Sequence, residues 1–154
     1  ALSMNAPNFF AWFPAFYENT ALASIGIFLA AIIMLGVACY VKKYKIEVKG
    51  STLLWIAVFS LFWIPFVLPH MHERYFFPAD IISMILFMCD TKETKKILII
   101  PTCSLLLTIR FLTGALWISA AVLSLPMFYV GIYIWKKVYR MKENAHDIIP
   151  KNDQ

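Results

Sequence analysis

From Thr20 to Val41 the chain carries no charged side chain. A helix needs about 20 predominantly apolar residues to cross the hydrocarbon core of a bilayer, and this run has that length. The composition agrees. Of the 154 residues 61% are hydrophobic and 15% charged, and the mean hydropathy is +0.71. A soluble domain carries about 25% charged residues. A chain this apolar cannot cover itself with a polar surface in water, so membrane integration is the expected class.

The remaining apolar runs follow the same logic. Thr52 to Leu68 gives a second span, with Pro65 expected to kink its end. Tyr75 to Cys89 is shorter and contains Asp80; it is expected to cross with a tilt or to enter from an interfacial turn at Pro78. Ile97 to Trp135 is too long for one crossing, and Arg110-Phe111-Leu112-Thr113-Gly114 divides it into spans at 97–111 and 115–135. The expected fold class is all-α, a polytopic transmembrane helix bundle of about five spans. Outer loops fall at 1–19 and 69–78, and a polar, frayed tail at 141–154.

Charge placement sets the orientation. The net charge of +5 does not point to nucleic acid, because Lys and Arg sit in short clusters between apolar runs. Lys42, Lys43, Lys45 and Lys49 follow the first span; Lys92, Lys95 and Lys96 follow the third; Lys136, Lys137, Arg140 and Lys142 follow the fifth. With five spans all three clusters fall on one side, which the positive-inside bias makes cytoplasmic. The N-terminal segment, the loop at 69–78 and the Arg110 turn then share the outer side.

The segment Asn5 to Tyr17 is dense in aromatic residues, as at the headgroup level of a bilayer. A short interfacial helix is expected near Pro7, ending at Pro14. The simpler use of these rings is to anchor the next span; the functional one is a lip that guides a lipid tail. The chain begins Ala1-Leu2-Ser3, without Met and without a basic-then-apolar leader, and is expected to start inside a longer polypeptide. Cys39, Cys89 and Cys103 lie in apolar runs without ligand spacing and are expected as small buried hydrophobes.

The unusual chemistry is concentrated in Pro69-His70-Met71-His72-Glu73-Arg74-Tyr75-Phe76-Phe77-Pro78-Ala79-Asp80. A zinc site is disfavoured: the spacing is His-x-His-Glu, not His-Glu-x-x-His, and the third histidine, His146, lies in the tail. Anion binding suits these residues better. Arg74 offers a planar, permanently charged fork to a phosphate, His70 and His72 add hydrogen bonds or a proton, and Glu73 can orient the arginine or a ligand hydroxyl. For a single charge, solvation among headgroups would be explanation enough; the cluster points to function. Ionisable residues in spans are costly and stand as functional candidates. Arg110, near the outer end of its span, has snorkelling as its simpler use. Asp80 is a candidate partner for Arg110 or Arg74, or a cap for the helix after Pro78.

Residues 71–80, Met-His-Glu-Arg-Tyr-Phe-Phe-Pro-Ala-Asp, resemble a signature of bacterial polytopic membrane proteins similar to the GPI mannosyltransferase family, within the GT-C class of glycosyltransferases. Residues 5–13, Asn-Ala-Pro-Asn-Phe-Phe-Ala-Trp-Phe, look like a segment of the same proteins, one loop earlier, and are the softer of the two. The resemblance covers the C-terminal part of a typical member and implies a fragment of a larger GT-C-like fold. It implies a polyprenyl-phosphate sugar as donor, a glycan or lipid as acceptor, transfer of a mannosyl or other hexosyl group with inversion at the outer face, and no metal or cofactor. Carried over, His72, Glu73 and Arg74 are donor-site residues near the lipid phosphate; His70, Asp80 and Arg110 complete the candidate set. The family's acidic base in the first external loop has no counterpart here, Glu18 standing in a different loop context, so the base is expected upstream. The implied location is the bacterial plasma membrane, with the bilayer as partner and no nucleic acid.

Two other readings compete. A transporter or lipid-flippase component would also use intramembrane charges, but along a path through the membrane, whereas these gather at one face. A pH sensor would use His70 and His72. The topology is directly testable: with the three native cysteines replaced, a cysteine at position 72 is expected to react with an impermeant maleimide from outside and one at position 95 only from the cytoplasmic side. Labelling of position 72 from the cytoplasm alone would overturn the orientation and the chemistry built on it.

Overall fold

Inside a bilayer no water is available to satisfy backbone N–H and C=O groups, so a spanning segment has to satisfy them itself. In the computed structural model the chain does so with helices; residues 3–4, 6–13, 19–89, 94–114 and 119–146 are described, with backbone alone at 3–4 and 143–146. The helices are α1 (Thr20–Lys43), α2 (Gly50–Val67), α3 (Phe77–Cys89), α4 (Ile99–Thr113) and α5 (Ala120–His146). Single 3-10 turns cover Phe9–Trp12, Glu73–Phe76 and Lys95–Leu98. A two-residue parallel pair, β1 (Ser3–Met4) with β2 (Met71–His72), is the extended structure among the described residues. Four helical stretches are long and apolar enough to cross a membrane: Thr20–Lys43, Gly50–Val67, Lys95–Thr113 and Ala120–Lys142. The protein is an all-α helical bundle with the make-up of a multi-pass membrane protein.

Hydroxyl groups in these helices turn inward on their own backbone. Ser24 Oγ donates to Thr20 O, Ser60 Oγ to Ile56 O, Thr102 Oγ1 to Leu98 O, Thr108 Oγ1 to Ser104 O and Thr113 Oγ1 to Ile109 O, all four residues back. That pattern satisfies a polar group without a partner helix, and it removes these residues from the search for a site.

α2 is central and packs against α1, α3 and α5, while α4 packs against α3 and α5. The buried faces repeat at helical spacing: Trp55, Phe59, Phe62 and Phe66 on α2; Met127, Val130, Ile134 and Val138 on α5; Ala79, Ser83 and Leu86 on α3; Ile100, Cys103 and Leu107 on α4. α1 gives the core only Gly26, Ala30 and Ile33, and leaves Ile25, Phe28, Ile32 and Leu35 outward, where lipid would take them.

α2 and α5 run in opposite directions: Trp55, near the start of α2, meets Tyr133, and Phe66, near its end, meets Phe128, earlier on α5. At one end of the bundle Tyr40 Oη donates to Tyr139 O at 2.5 Å, Lys142 lies over the rings of Tyr139 and Tyr44, and Lys137 lies over Trp55. Lys96 lies over Tyr129 and Tyr133. The lysines of all three clusters with described residues thus gather toward one end, the end the positive-inside bias assigns to the cytoplasm. The opposite end carries the loop at 69–78.

Several expectations change in detail. The third apolar run forms a helix of only 13 residues, about 20 Å at 1.5 Å per residue and short of a hydrocarbon core of about 30 Å; the 3-10 turn Glu73–Phe76 precedes it directly. The division near Arg110 stands: α4 stops at Thr113, and Gly114 takes φ 66°, the left-handed conformation of a helix end. The fifth run does not fray at residue 141. α5 continues to His146 because Ile134, Val138 and Met141 keep an apolar stripe against the core and Tyr139 O is held by Tyr40. Residues 147–154 lie outside the described residues. Of the cysteines, Cys103 is buried, but Cys39 and Cys89 face outward from helices whose packed faces they miss.

Gly26 marks a close approach. A Cβ there would stand 2.6 Å from the Phe10 ring and 2.8 Å from Val67 O, whereas one at Gly36 would meet nothing within 4 Å. Close helix contacts in membranes rely on small residues of this kind. Gly26→Ala is therefore expected to destabilise the detergent-solubilised protein by about 1–3 kcal/mol, and Gly36→Ala to leave it unchanged or slightly more stable. Thermal melts of the two variants check this.

Candidate functional site

The site is built where α2 ends. Leu68 is its C-cap, Pro69 is buried, and His70 turns the chain with φ 59°, a left-handed conformation uncommon outside glycine but more often met in Asn, Asp and His. Met71 and His72 then form β2, in register with Ser3 and Met4. The 3-10 turn Glu73–Phe76 follows and runs straight into α3, where Pro78 sits in the first turn, a place its missing N–H suits.

The N-terminal segment holds this loop in place. Asn8, fully buried, donates from Nδ2 to Leu68 O at 3.3 Å, across 60 residues of sequence. Trp12 donates from Nε1 to Ala121 O at 3.1 Å, at the start of α5, and its ring meets Phe128. Phe9 meets Phe10, Trp12 and Phe13, and Phe10 lies on Gly26 of α1. The segment thus touches α1, α2 and α5 and the loop itself. The expected interfacial helix is here one 3-10 turn, starting at Phe9, and Pro14 lies outside the described residues. These rings act as packing groups of a cap.

Beneath the loop Phe76 is fully buried against Phe62, ring centroids 6.0 Å apart. Above it the polar groups face out: His70 and Arg74 are exposed, His72 and Glu73 half-buried. Tyr75 stands between two of them, its ring 6.1 Å from the His72 ring and 5.9 Å from the Arg74 guanidinium. Residues three apart eclipse in a 3-10 turn, which brings Tyr75 beside His72. Tyr75 belongs to the constellation although its chemistry drew no attention in the sequence; the spacing His-Glu-Arg-Tyr is the signal.

Asp80 is placed differently from either expected pairing. It lies in the first turn of α3, half-buried, and its Oδ1 accepts from Ser104 Oγ of α4 at 2.9 Å. Its carbonyl accepts from Ser83 Oγ at 2.8 Å. Among the described residues no ion pair joins it to Arg74 or Arg110. Arg110 occupies the last turn of α4, where the negative end of the helix dipole favours a cation. The loop therefore gathers His70, His72, Glu73, Arg74 and Tyr75, while Asp80 bonds α3 to α4. No run of residues announces Ser104, which is 24 positions from Asp80 on another helix. Among the described residues no three His, Cys, Asp or Glu converge as metal ligands. Glu18 lies outside the described residues.

The chain matches no family model, no curated protein and no solved structure. The resemblance at residues 71–80 and 5–13 thus rests on those residues alone.

The Asp80–Ser104 contact has a measurable consequence. Asp80→Leu and Ser104→Ala, made singly and together, are expected to show a coupling of about 0.5–2 kcal/mol in unfolding free energy. Asp80→Asn keeps an oxygen that accepts from Ser104 and is expected to lose less than Asp80→Leu. Additive losses in the cycle would show that the contact does not couple α3 to α4.

Proposed function

We propose that the loop at residues 70–75 binds the phosphate of a lipid-linked substrate at the outer membrane face, and that the protein is the corresponding part of a glycosyltransferase that takes a hexosyl group, mannosyl or other, from a polyprenyl-phosphate donor in a bacterial plasma membrane. The observation that carries this reading is the construction of the loop. Its apolar side is fixed by Phe76 and by the docked N-terminal segment, and its cation and imidazoles are turned outward on that rigid base. Donors held in position before charge develops stabilise it without reorganisation, which is what a departing phosphate requires. The reading is also supported by the coincidence of two stretches. Residues 5–13 and 71–80 suggest the same family separately, and Asn8 of the first bonds to Leu68, three residues before the second begins.

In the proposed reaction the acceptor oxygen attacks the anomeric carbon as the bond from that carbon to the phosphate oxygen breaks. The electron pair stays on polyprenyl phosphate, and the acceptor proton passes to a base. Arg74 takes two phosphate oxygens, His72 donates to a third or protonates the leaving phosphate, and Glu73 orients a sugar hydroxyl or the arginine. His70 completes the anion site from the turn. Arg74→Lys keeps the charge but cannot grip two oxygens at once. In the full-length enzyme it is expected to lose at least about 90% of transfer from a polyprenyl-phosphate sugar in membranes of matched protein content. Unimpaired turnover would leave Arg74 a point charge at most. An unchanged rate of sugar transfer together with altered lipid translocation would favour a flippase component instead.

A further inference from the structure

The other end of the bundle holds a second polar construction. Between the 3-10 turn Lys95–Leu98 and α5 lies a cavity of about 260 Å³ lined by Lys96, Lys136, Lys137 and Arg140 with the rings of Tyr129 and Tyr133. Among the described residues none that lines it is acidic. Topogenic lysines need only be on the correct side of the membrane. These are more ordered than that. Lys96 Nζ sits 5.8 Å from the Tyr129 ring centre and 5.4 Å from that of Tyr133, and Lys137 Nζ sits 5.8 Å from that of Trp55. Each ring face holds a cation by its quadrupole. Lys136 and Arg140, four apart on one helix face, repel one another unless an anion lies between them.

The lining also says what kind of anion. Val122, Leu125, Tyr129 and Ile132 are exposed on α5, and with Lys136 they recur at steps of three and four residues. They form one stripe that leads into the cavity. From Val122 to Lys136 the stripe is about 21 Å long at 1.5 Å per residue, and it lies within a helix fit to cross a membrane. A soluble phosphate has no use for such a stripe. A molecule with a phosphate at one end and hydrocarbon at the other fits both parts, and basic pockets beside spans on the cytoplasmic side take anionic headgroups.

We infer that the cavity between the Lys95–Leu98 turn and α5 is a binding site for an anionic phospholipid of the cytoplasmic leaflet, its phosphate among Lys96, Lys136, Lys137 and Arg140 and an acyl chain along Ile132, Tyr129 and Leu125. The inference does not rest on the transferase reading. It uses the opposite end of the molecule and a different lipid.

The test uses the full chain purified in a neutral detergent and titrated with phosphatidylglycerol, phosphatidylcholine or inorganic phosphate, with bound lipid read by native mass spectrometry and stability by thermal melting. Phosphatidylglycerol is expected to stay bound and raise the melting temperature, and phosphatidylcholine to do neither. Lys136→Gln with Arg140→Gln is expected to weaken phosphatidylglycerol about tenfold or more, whereas Lys42→Gln with Lys43→Gln, two basic-end charges outside the cavity, changes it by less than about twofold. If the double variant does not fold, Lys136→Gln alone, at an exposed position, carries the test with an expected loss of about threefold. Equal losses from the two pairs would reduce the site to diffuse attraction by the basic end. No preference over phosphatidylcholine, or an equal shift with inorganic phosphate, would overturn the lipid assignment.

Discussion

α1, α3 and α5 all pack against α2, and α5 and the turn before α3 meet its aromatic face. Lipid tails are as apolar as leucine, so helices in a bilayer are not driven together by water and depend on close packing and a few polar contacts. Phe59, Phe62 and Phe66 supply that packing in a column at helical spacing, with Trp63 at its side. Phe59 and Trp63 meet Trp135, Phe62 meets Phe76 and Phe66, and Phe66 meets Phe128. Aromatic pairs of this geometry contribute about 0.5–1.5 kcal/mol each beyond their area. α2 is thereby fixed to α5 along its length and to the base of the polar loop through Phe76.

The two ends of the bundle inherit their order from that column. At the loop end it seats Phe76, under the turn that follows β2, and the N-terminal segment closes over the end of α2 through Asn8. At the basic end Trp55 and Tyr133, in contact with each other, receive Lys137 and Lys96 on their faces. Rings of one α2–α5 seam thus position the polar groups of the loop and the cations of the opposite cavity. Substitutions in the column are expected to act at both ends together, which separates them from substitutions in either site.

Much of this was legible in the sequence, and the limits have physical causes. Apolar runs and lysine clusters report hydropathy and side, so the spans of α1 and α2, the division at Gly114 and the gathering of basic residues at one end follow from composition along the chain. The end of α5 did not, because a polar run such as Lys136 to Lys142 hides the Ile134, Val138 and Met141 stripe that keeps it helical. The length of α3 was blurred by its 3-10 lead, which carries apolar rings yet is not α-helix. The loop residues were legible as a cluster because charge is rare in this chain. Asp80 was legible as unusual but not in its partner: the sequence offered two arginines, and the fold supplies a serine. Opposite charges draw the eye in a sequence, while contact between α3 and α4 is decided by which faces pack.

That difference bears on what the loop end of the bundle can do. Had Asp80 paired with Arg74, the guanidinium would be neutralised and turned inward, and the loop would offer a phosphate little beyond histidine. With Asp80 bonded to Ser104 below, Arg74 stays exposed over Tyr75 and is not drawn inward by that carboxylate. The bond to Ser104 also ties α3 to α4 directly under the loop, so a ligand's pull on Arg74 is resisted by two helices. An Arg held against an aromatic face loses less freedom on gripping a phosphate than one projecting into solvent, and the affinity gained is the entropy not lost. The arrangement of Asp80, Ser104, Tyr75 and Arg74 leaves its cation at the surface and not along a path through the bundle, and this is the physical ground on which we propose a lipid-phosphate site over a transport path.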